Sequence, residues 1–280
     1  MRMIGSPSLM REVSHDLRLE SRPLGLVPTM GALHDGHLSL VRRAVVECAA
    51  VIVSIFVNAP QFGPHEDLAS YPRRLEEDLE ICRKEGVAVV YSPSEEDVYP
   101  NGYGAWVDVP SLAEGLCGPH RPGHFRGVAT IVTKLFFACT PDRAYFGEKD
   151  FQQLALIRRL AGDLDSGVEI VSCPTVREPD GLAMSSRNAY LTGKERERAL
   201  SLSRGLKRAR ALFESGERDA GKIVDAARAE LDRCNARVDY IEVVDSESLR
   251  SLKRVGRPAR LALAARIGKT RLIDNMPLED

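Results

Sequence analysis

The chain has 280 residues, 44% of them hydrophobic and 28% charged, which is the composition of a globular protein with one large or two modest domains. A formal net charge of −1 gives no support to nucleic-acid binding, which usually requires a basic surface. No run approaches the roughly 18 apolar residues of a membrane helix, and the first residues lack the order of a signal peptide, so we expect no membrane contact.

The six cysteines are dispersed along the chain and form no CxxC pair. Most of them lie within apolar periodic segments, which is typical of reduced thiols in a protein core rather than of disulfides or a zinc site. We therefore expect a cytoplasmic protein.

The first informative stretch is Leu24–His37, which follows a predicted helix or coil over 2–19. An apolar start and small residues after it predict a strand and a tight loop, and the spacing over 38–50 predicts a helix. His34 and His37 would lie where the loop meets this helix, whose dipole and unpaired N–H groups favour an anion. We expect both imidazoles to bind phosphate oxygens; the alternative is that one caps the helix and the other is solvated.

The full order of residues in this stretch, PTMGALHDGH, favours the phosphate role, because Gly31 and Gly36 permit the backbone to approach a ligand closely. It resembles the HxGH signature of the nucleotidyl-transferring α/β superfamily, which also contains class I aminoacyl-tRNA synthetases. The resemblance implies a site that holds ATP and stabilises the transition state at its α-phosphate.

Residues 51–57 form a β-branched, almost wholly apolar run, which is typical of a strand buried on both faces of a parallel sheet. With the preceding strand and helix it predicts a βαβ unit, with a right-handed crossover and a ligand at the carboxyl ends of the strands. Asn58 and Gln61 follow this strand on the rim that carries the histidines. Their amides suit the hydroxyl and carboxylate of a hydroxy acid, although both also fit an ordinary turn.

The next predicted elements are a helix over 75–86, a buried strand over 87–91 and a short strand over 106–109. The helix carries an acidic cluster that includes Glu77 and Asp78. Carboxylate oxygens suit Mg²⁺, although a solvated helix face explains the cluster equally well.

The loop 115–127 is rich in glycine, proline and basic side chains. Arg121, His124 and Arg126 follow one another closely within it. We therefore expect a lid that faces an anion, rather than a merely irregular connection.

A second junction of strand and helix follows an amphipathic helix over 128–139. Residues 143–146 are expected to form a strand, and Gly147–Asp150 leads into a helix over 151–160. Lys149 can neutralise phosphate as a point charge, and Asp150 can accept from ribose hydroxyls or cap the helix.

A domain boundary is placed in the loop that starts at Pro174, after a predicted strand over 168–173. Within this loop, Ala183–Asn188 offers two hydroxyls and a guanidinium, a composition that suits phosphate; the alternative is a capped helix start. The remaining predicted elements are helices over 194–215 and 219–234 and strands over 238–244, over 260–267 and after Lys269. The sequence thus predicts an α/β protein, with a parallel sheet flanked by helices over 1–174 and a smaller α+β domain over 175–280.

Taken in order, these stretches resemble the pantoate–β-alanine ligase family over nearly the whole chain. The matching segments are Val27–His37, Val53–Phe62, Arg121–Phe125, Phe146–Gln153, Pro174–Asn188 and Leu272–Met276. The resemblance implies condensation of (R)-pantoate with β-alanine to pantothenate, a step of coenzyme A biosynthesis that uses ATP and Mg²⁺ and releases AMP and pyrophosphate after a pantoyl adenylate. It also implies a cytoplasmic homodimer with a Rossmann-like N-terminal domain, over which the smaller domain closes.

The resemblance also assigns roles to residues of this chain. The ATP site would comprise Met30, Gly31, His34, His37, Gly147, Glu148, Lys149, Asp150, Val176, Met184, Ser185, Ser186 and Arg187. His37 would be the catalytic proton donor, assisted by His34, Lys149 and Arg187. Pantoate and β-alanine would bind to Met30, Asn58, Gln61, Arg121, His124 and Gln153.

Two departures from the family pattern concern the substrate and metal sites. The family usually has Asn-Pro-x-Gln after the second strand, whereas this chain has Asn58-Ala-Pro-Gln61, which moves the proline by one place. Glu77 and Asp78 stand where adjacent aspartates are common, and Ile81 stands at a third ligand position, so the triphosphate and water would chiefly hold Mg²⁺.

Two other functions share parts of this pattern. One is a nucleotidyltransferase that transfers AMP to a phosphorylated cofactor precursor, which would not need the amides of Asn58, Gln61 and Gln153. The other is a non-catalytic regulator that binds ATP, for which degenerate phosphate contacts are expected.

Overall fold

The computed structural model describes residues 1–64 and 66–279, and the chain divides into two compact units. Unit 1 consists of Met1–Val109, Arg121–Glu148 and Leu156–Pro174, and unit 2 consists of Pro110–His120, Lys149–Ala155 and Thr175–Asp280. The short segments 110–120 and 149–155 therefore group with the C-terminal residues, and not with the residues that flank them in the sequence.

Unit 1 contains a six-stranded parallel sheet, which confirms the predicted α/β class. Its strands are β1 (Arg2–Ile4), β2 (Leu24–Thr29), β3 (Ala50–Ile55), β4 (Val89–Tyr91), β5 (Arg143–Gly147) and β6 (Glu169–Cys173). They lie in the order β1-β4-β3-β2-β5-β6, and all paired neighbours are parallel. The order reverses between β2 and β5, and ligands of such sheets bind outside the carboxyl ends of the strands at this switch point.

Helices connect the strands, because parallel neighbours cannot be joined by tight hairpins. Between β1 and β6 they are α1 (Pro7–Glu20), α2 (Asp35–Glu47), α3 (Leu75–Lys84), α4 (Glu95–Val98), α5 (Pro110–Ala113), α6 (His124–Cys139) and α7 (Phe151–Asp163), while α8 (Gly193–Glu214) and α9 (Ala220–Arg233) follow β6. All six residues of β3 are buried, as its β-branched apolar sequence predicts. Across residues 1–64 and 66–279, no helix is both long and apolar enough to cross a membrane.

Unit 2 contains an antiparallel sheet of three strands in the order β7 (Arg237–Asp245), β8 (Ala259–Ile267) and β9 (Thr270–Leu278). Leu206 of α8, Ile223 of α9, and Leu261 and Leu263 of β8 belong to one buried apolar cluster. The sheet and its two helices confirm the α+β character predicted for the C-terminal part of the chain.

Some elements differ from their sequence predictions. Residues 2–4 form β1, paired with β4, where the sequence predicts helix or coil; three residues are too few to reveal a period. Residues 106–109 form no strand, because the amide of Val107 donates to Oγ1 of Thr130, on α6, at 3.0 Å instead of to a neighbouring strand.

The helix predicted over 128–139 also differs in its start and its surroundings. As α6 it begins at His124, so residues of the predicted lid form its first turn. Most of its residues are buried, and Phe137 is the one exposed apolar residue between His124 and Cys139. It is therefore a core helix and not an amphipathic one.

The six cysteines of the chain carry free thiols. Cys82 and Cys139 are fully buried. Burial raises the pKa of the Cys82 thiol to about 11, so this group stays protonated at neutral pH. Both therefore act as small apolar side chains in the core.

Candidate functional site

The loop that follows β2 turns through two consecutive left-handed residues. Gly31 has a φ of +79° and Ala32 a φ of +51°, a region that glycine adopts readily and other residues rarely do. A Cβ on Gly31 would lie 2.9 Å from Oδ2 of Asp78. Glycine is therefore required at position 31 both by the backbone conformation and by the space beside it.

The two histidines of the motif form a capping box at the start of α2, with His34 as the N-cap. Nδ1 of His34 accepts from the amide of Gly36 at 3.1 Å, and Nδ1 of His37 accepts from the amide of His34 at 3.4 Å. Their rings stack with centroids 4.1 Å apart. Because each Nδ1 is an acceptor, the proton of each neutral ring is on Nε2. Capping and phosphate binding are therefore compatible, since the cap selects the tautomer with a donor at Nε2.

Asp78, on the first turn of α3, lies against the same loop. Its Oδ2 accepts from the amide of Ala32 and its Oδ1 from the amide of Leu33, both at 2.8 Å. Burial raises the pKa of Asp78, although the two amide hydrogen bonds oppose this effect. The amides of Ala32 and Leu33, which precede the N-terminus of α2, therefore have Asp78 as the anion that they bind.

The candidate metal pair does not form a metal site. The side chain of Glu77 is 66% exposed and pairs with Arg74 at 3.6 Å, whereas Asp78 is 2% exposed. Within the described ranges there is no group of three or more histidine, cysteine, aspartate or glutamate residues that could hold a metal ion. The side chains of this region therefore do not fit a protein-ligated Mg²⁺.

Asn58 and Gln61 lie beyond β3, where a short 3₁₀ turn, Ala59–Gln61, accommodates the shifted proline. Nδ2 of Asn58 donates to Oε1 of Gln61 at 3.0 Å and to the carbonyl of Gly127 at 3.1 Å, and its Oδ1 accepts from the hydroxyl of Tyr99 at 2.7 Å. These bonds use both sides of the Asn58 amide. Asn58 is therefore placed to orient Gln61.

The side chain of Gln61 is linked to the histidine loop through Met30. Its Nε2 donates to Sδ of Met30 at 2.9 Å. A Cβ on Gly127 would lie 2.7 Å from the Gln61 amide nitrogen, so α6 packs directly on this turn. The structure thus brings together Met30, Asn58 and Gln61, three of the residues predicted for pantoate.

Arg121 and His124 support the same turn from the start of α6. Arg121 forms a bidentate ion pair with Glu66 at 2.6 and 2.7 Å, and its Nη1 lies 2.9 Å from Nε2 of His124. Nδ1 of His124 lies 2.8 Å from the carbonyl oxygen of Gln61. Arg126 lies over the ring of Trp106, 5.0 Å from its centroid. In this structure the charge of Arg121 is thus already paired and His124 is buried, and the anion-facing lid stays a prediction.

Of the second predicted group of nucleotide-binding residues, Gly147 and Glu148 belong to unit 1, and Lys149 and Asp150 belong to unit 2. Nζ of Lys149 lies 3.8 Å from Oδ2 of Asp150, and the carbonyl of Lys149 accepts from Nδ2 of Asn275 at 2.9 Å. Gln153 is half-buried. Its neighbour Gln152 is buried and fixes residues 112–117 through three hydrogen bonds to their backbone.

The predicted phosphate-binding segment 183–188 belongs to a hairpin-like loop. Val176 and Met184 are joined by a backbone hydrogen bond of 3.0 Å. Oγ of Ser185 accepts from the amide of Arg187 at 3.3 Å and so begins a 3₁₀ turn, Ser186–Tyr190. Asn188 donates to Glu178 at 2.6 Å, which closes the loop on itself.

Two residues that the sequence analysis did not assign a role, Asp274 and Asn275, join these segments of unit 2. Asp274 accepts two hydrogen bonds from Arg177, at 2.7 and 2.9 Å, while Asn275 bonds to the carbonyl of Lys149. The two neighbours on β9 thus hold the base of the 176–184 loop and the Lys149 segment. The sequence feature that could have identified these two residues is that they form a polar pair within the otherwise apolar stretch 272–276.

Comparison with known proteins gives a consistent result over the whole chain. A model of the family "Pantoate-beta-alanine ligase" matches residues 2–277. The chain is 51% identical over 276 residues to the pantothenate synthetase of Thermotoga neapolitana, covering 98% of this chain and 99% of that protein. It is 56% identical over 265 residues to the pantothenate synthetase of Myxococcus xanthus, covering 94% and 91%.

Solved structures agree with these relatives. Pantothenate synthetase from Thermus thermophilus matches with a TM-score of 0.94 at 42% identity, covering 100% of both chains. The pantoate-beta-alanine ligase from Francisella tularensis, solved in complex with beta-gamma ATP and beta-alanine, matches with a TM-score of 0.84 at 36% identity, covering 100% of this chain and 98% of that one. Both structures therefore share the fold over the full described length.

Proposed function

The chain belongs to the pantoate–β-alanine ligase family, and on that premise we propose how its residues join pantoate to β-alanine with ATP. The observation that carries the proposal is the capping box at the carboxyl end of β2, where His34 and His37 keep Nε2 as a donor. This end of β2 lies at the switch point of the sheet, where nucleotides bind in such folds.

In the first step, an oxygen of the pantoate carboxylate attacks the α-phosphorus of ATP and displaces pyrophosphate. Negative charge grows on the phosphate oxygens in the transition state. The Nε2 protons of His34 and His37, with His37 as the proton donor, and the charges of Lys149 and Arg187 stabilise it. The nucleotide enters as its Mg²⁺ complex, a substrate in which the triphosphate and water hold the ion.

In the second step, the amine of β-alanine attacks the carbonyl carbon of the pantoyl adenylate. The new amide bond forms, the amine loses a proton, and the bond to phosphate breaks to release AMP. No protein nucleophile is required, so the work of the protein is positioning and exclusion of water.

The acceptor site is proposed to contain the side chains of Met30, Gln61 and Gln153. Gln61 is buried and oriented by Asn58, which leaves its Nε2 beside Met30. Asn58, Arg121 and His124, which the resemblance assigned to pantoate, are proposed to position Gln61, because each of them forms a hydrogen bond with it.

Other parts of the proposal rest on the family resemblance. Further ATP contacts are proposed for Gly31, Gly147, Glu148, Asp150, Val176, Met184, Ser185 and Ser186. A homodimer, a cytoplasmic location and a closing role for residues 175–280 complete it.

The test is release of pyrophosphate and AMP from ATP and pantoate, with and without β-alanine. Pyrophosphate equal to the enzyme with pantoate alone, and turnover only after the amine is added, is the expected result. A product that retained the nucleotide would indicate a nucleotidyltransferase. Folded protein that bound ATP without any pantoate-dependent pyrophosphate would contradict the proposal and favour a regulator.

A further inference from the structure

We infer that Asp78 is a positioning residue for the ATP-binding loop and not a ligand of Mg²⁺. The inference rests on the proposed function, because it takes Met30–His37 to be the loop that contacts ATP. It departs from what the family resemblance implies for Glu77 and Asp78, which stand in the place of an adjacent pair of metal-binding aspartates.

The carboxylate of Asp78 is bound on both oxygens by the loop itself. Oδ2 lies 2.8 Å from the amide of Ala32, and Oδ1 lies 2.8 Å from the amide of Leu33. Successive N–H groups that follow left-handed residues form a concave nest for an anion, and here the protein supplies that anion. The two hydrogen bonds are charge-assisted, which makes them stronger than those between neutral groups.

The surroundings of Asp78 do not suit Mg²⁺. This ion requires an octahedral shell of six oxygens and usually keeps several water molecules. Both oxygens of the buried Asp78 carboxylate already accept from amides, and Ile81 offers no oxygen at the third family position. Glu77 is exposed, but its carboxylate pairs with Arg74.

The same contacts explain why the loop needs a carboxylate at position 78. Ala32 has a φ of +51°, a conformation that a residue with a Cβ adopts at a cost in free energy. Asp78 offsets this cost by accepting from the amides on either side of the Ala32 Cα, those of Ala32 and Leu33. The next residue, His34, is the N-cap of α2, so Asp78 determines where the stacked histidines stand.

Three substitutions on the first turn of α3 distinguish a positioning role of Asp78 from metal binding. Asp78→Asn keeps the shape of the side chain but places an NH₂ group against one of the two amides, so at most one hydrogen bond survives. Glu77→Gln removes the other candidate metal ligand. Glu76→Gln is the matched control, because Glu76 is exposed on the same turn of α3 and loses the same charge.

The first measurement needs neither ATP nor activity. Hydrogen exchange is followed in the peptide covering 29–38 of the ligand-free protein, with β3 as the internal reference for global unfolding. Exchange of this loop is expected to be at least about 10-fold faster in Asp78→Asn than in the parent protein or Glu76→Gln, with β3 unchanged. Equal exchange in all three proteins would overturn the inference.

The second measurement is the rate of pyrophosphate formation at varied ATP and at varied Mg²⁺. For Asp78→Asn we expect the KM for ATP to rise by about 10-fold and kcat to fall. The Mg²⁺ concentration that gives half the maximal rate, measured at ATP saturating for each protein, should stay within about twofold of the parent value. Glu77→Gln is expected to match the parent in its Mg²⁺ requirement.

Other outcomes would overturn the inference in different ways. If Asp78→Asn and Glu77→Gln both needed about 10-fold more Mg²⁺ and excess Mg²⁺ restored the rate, both would be ligands. If Asp78→Asn lowered the yield of folded protein but left the KM for ATP unchanged, Asp78 would be structural and would not position the loop. A parent protein without pyrophosphate formation would refute the proposed function, while the exchange result would still stand.

Discussion

Arg177 and Asp274 form a bidentate ion pair inside unit 2, with nitrogen–oxygen distances of 2.7 and 2.9 Å. Asp274 is 3% exposed, and its neighbour Asn275 bonds to the carbonyl of Lys149. Because Arg177 adjoins Val176, β9, which carries Asp274 and Asn275, links two segments that are proposed to bind ATP. The pair is therefore expected to matter for both stability and nucleotide binding.

Asp274→Asn is expected to lower the free energy of unfolding by about 2–4 kcal/mol, because it leaves a largely buried guanidinium without its counter-charge. The matched control is Asp163→Asn, which removes an exposed ion pair with Arg159 within α7 and should cost no more than about 0.5 kcal/mol. Denaturant unfolding of the three proteins measures both values. Equal losses in the two variants would show that burial of the Arg177 pair has no special effect.

Local patterns were sufficient to predict the elements that carry the site. The apolar run of β2 leads within a few residues to Gly31 and His34, and that of β3 leads to Asn58, so the carboxyl ends of both strands could be assigned to one rim. The capping box is also local, since His34 and His37 lie three residues apart. Spacing alone, however, does not show that both rings use Nδ1 as the acceptor.

Contacts between distant residues could not be predicted in this way. Asp78 lies 46 positions from Ala32, and Arg121 lies 55 positions from Glu66. An acidic residue on the first turn of a helix has the same local pattern whether it is solvated, bound to a metal or bonded to a distant backbone. For the same reason, the basic residues of 121–126 gave no sign that Arg121 is paired and that Arg126 lies over Trp106.

His37→Gln separates capping from catalysis. Glutamine at this position can still accept from the His34 amide, as in an ordinary capping box, but it lacks the Nε2 proton of the imidazole. We expect a thermal midpoint close to that of the parent and a fall in adenylation rate of about 10²–10³-fold. His37→Ala, the comparison variant, should lose the same rate and also about 1 kcal/mol of stability. Near-full adenylation by His37→Gln would show that His37 takes no part in the reaction.

Gly127→Ala tests the packing of α6 against the Gln61 turn. The added methyl group would lie 2.7 Å from backbone atoms of Pro60 and Gln61, so the turn must move. We expect a loss of about 1–3 kcal/mol in stability and a higher KM for pantoate. Gly162→Ala in α7 is the control, because no atom lies within 4 Å of its added carbon and alanine favours a helix. Its stability should rise, with pantoate affinity unchanged; equal behaviour of the two variants would refute the packing argument.

Asp142 provides a test of stability against pH. Burial alone would raise the pKa of its carboxyl, but hydrogen bonds from Arg22 and the Leu24 amide, together with the charge of Arg18, outweigh burial and lower the pKa. A carboxyl whose pKa is lower in the folded state binds fewer protons there than in the unfolded chain. Its contribution to stability is therefore complete above the unfolded pKa of about 3.9 and is lost as the pH falls through the folded value.

Asp142→Asn removes this titration while keeping the size of the side chain. At pH 7 the variant is expected to melt below the parent, because the Arg22 and Leu24 bonds are weakened. As the pH falls below about 4, the parent should lose stability faster than the variant, and their thermal midpoints should converge. Midpoints measured from pH 7 to pH 3 decide the matter, with Asp163→Asn as the exposed control. If the difference in thermal midpoint between the parent and Asp142→Asn stayed constant down to about pH 3, the ionised carboxylate of Asp142 would not be what stabilises the contacts with Arg18, Arg22 and Leu24.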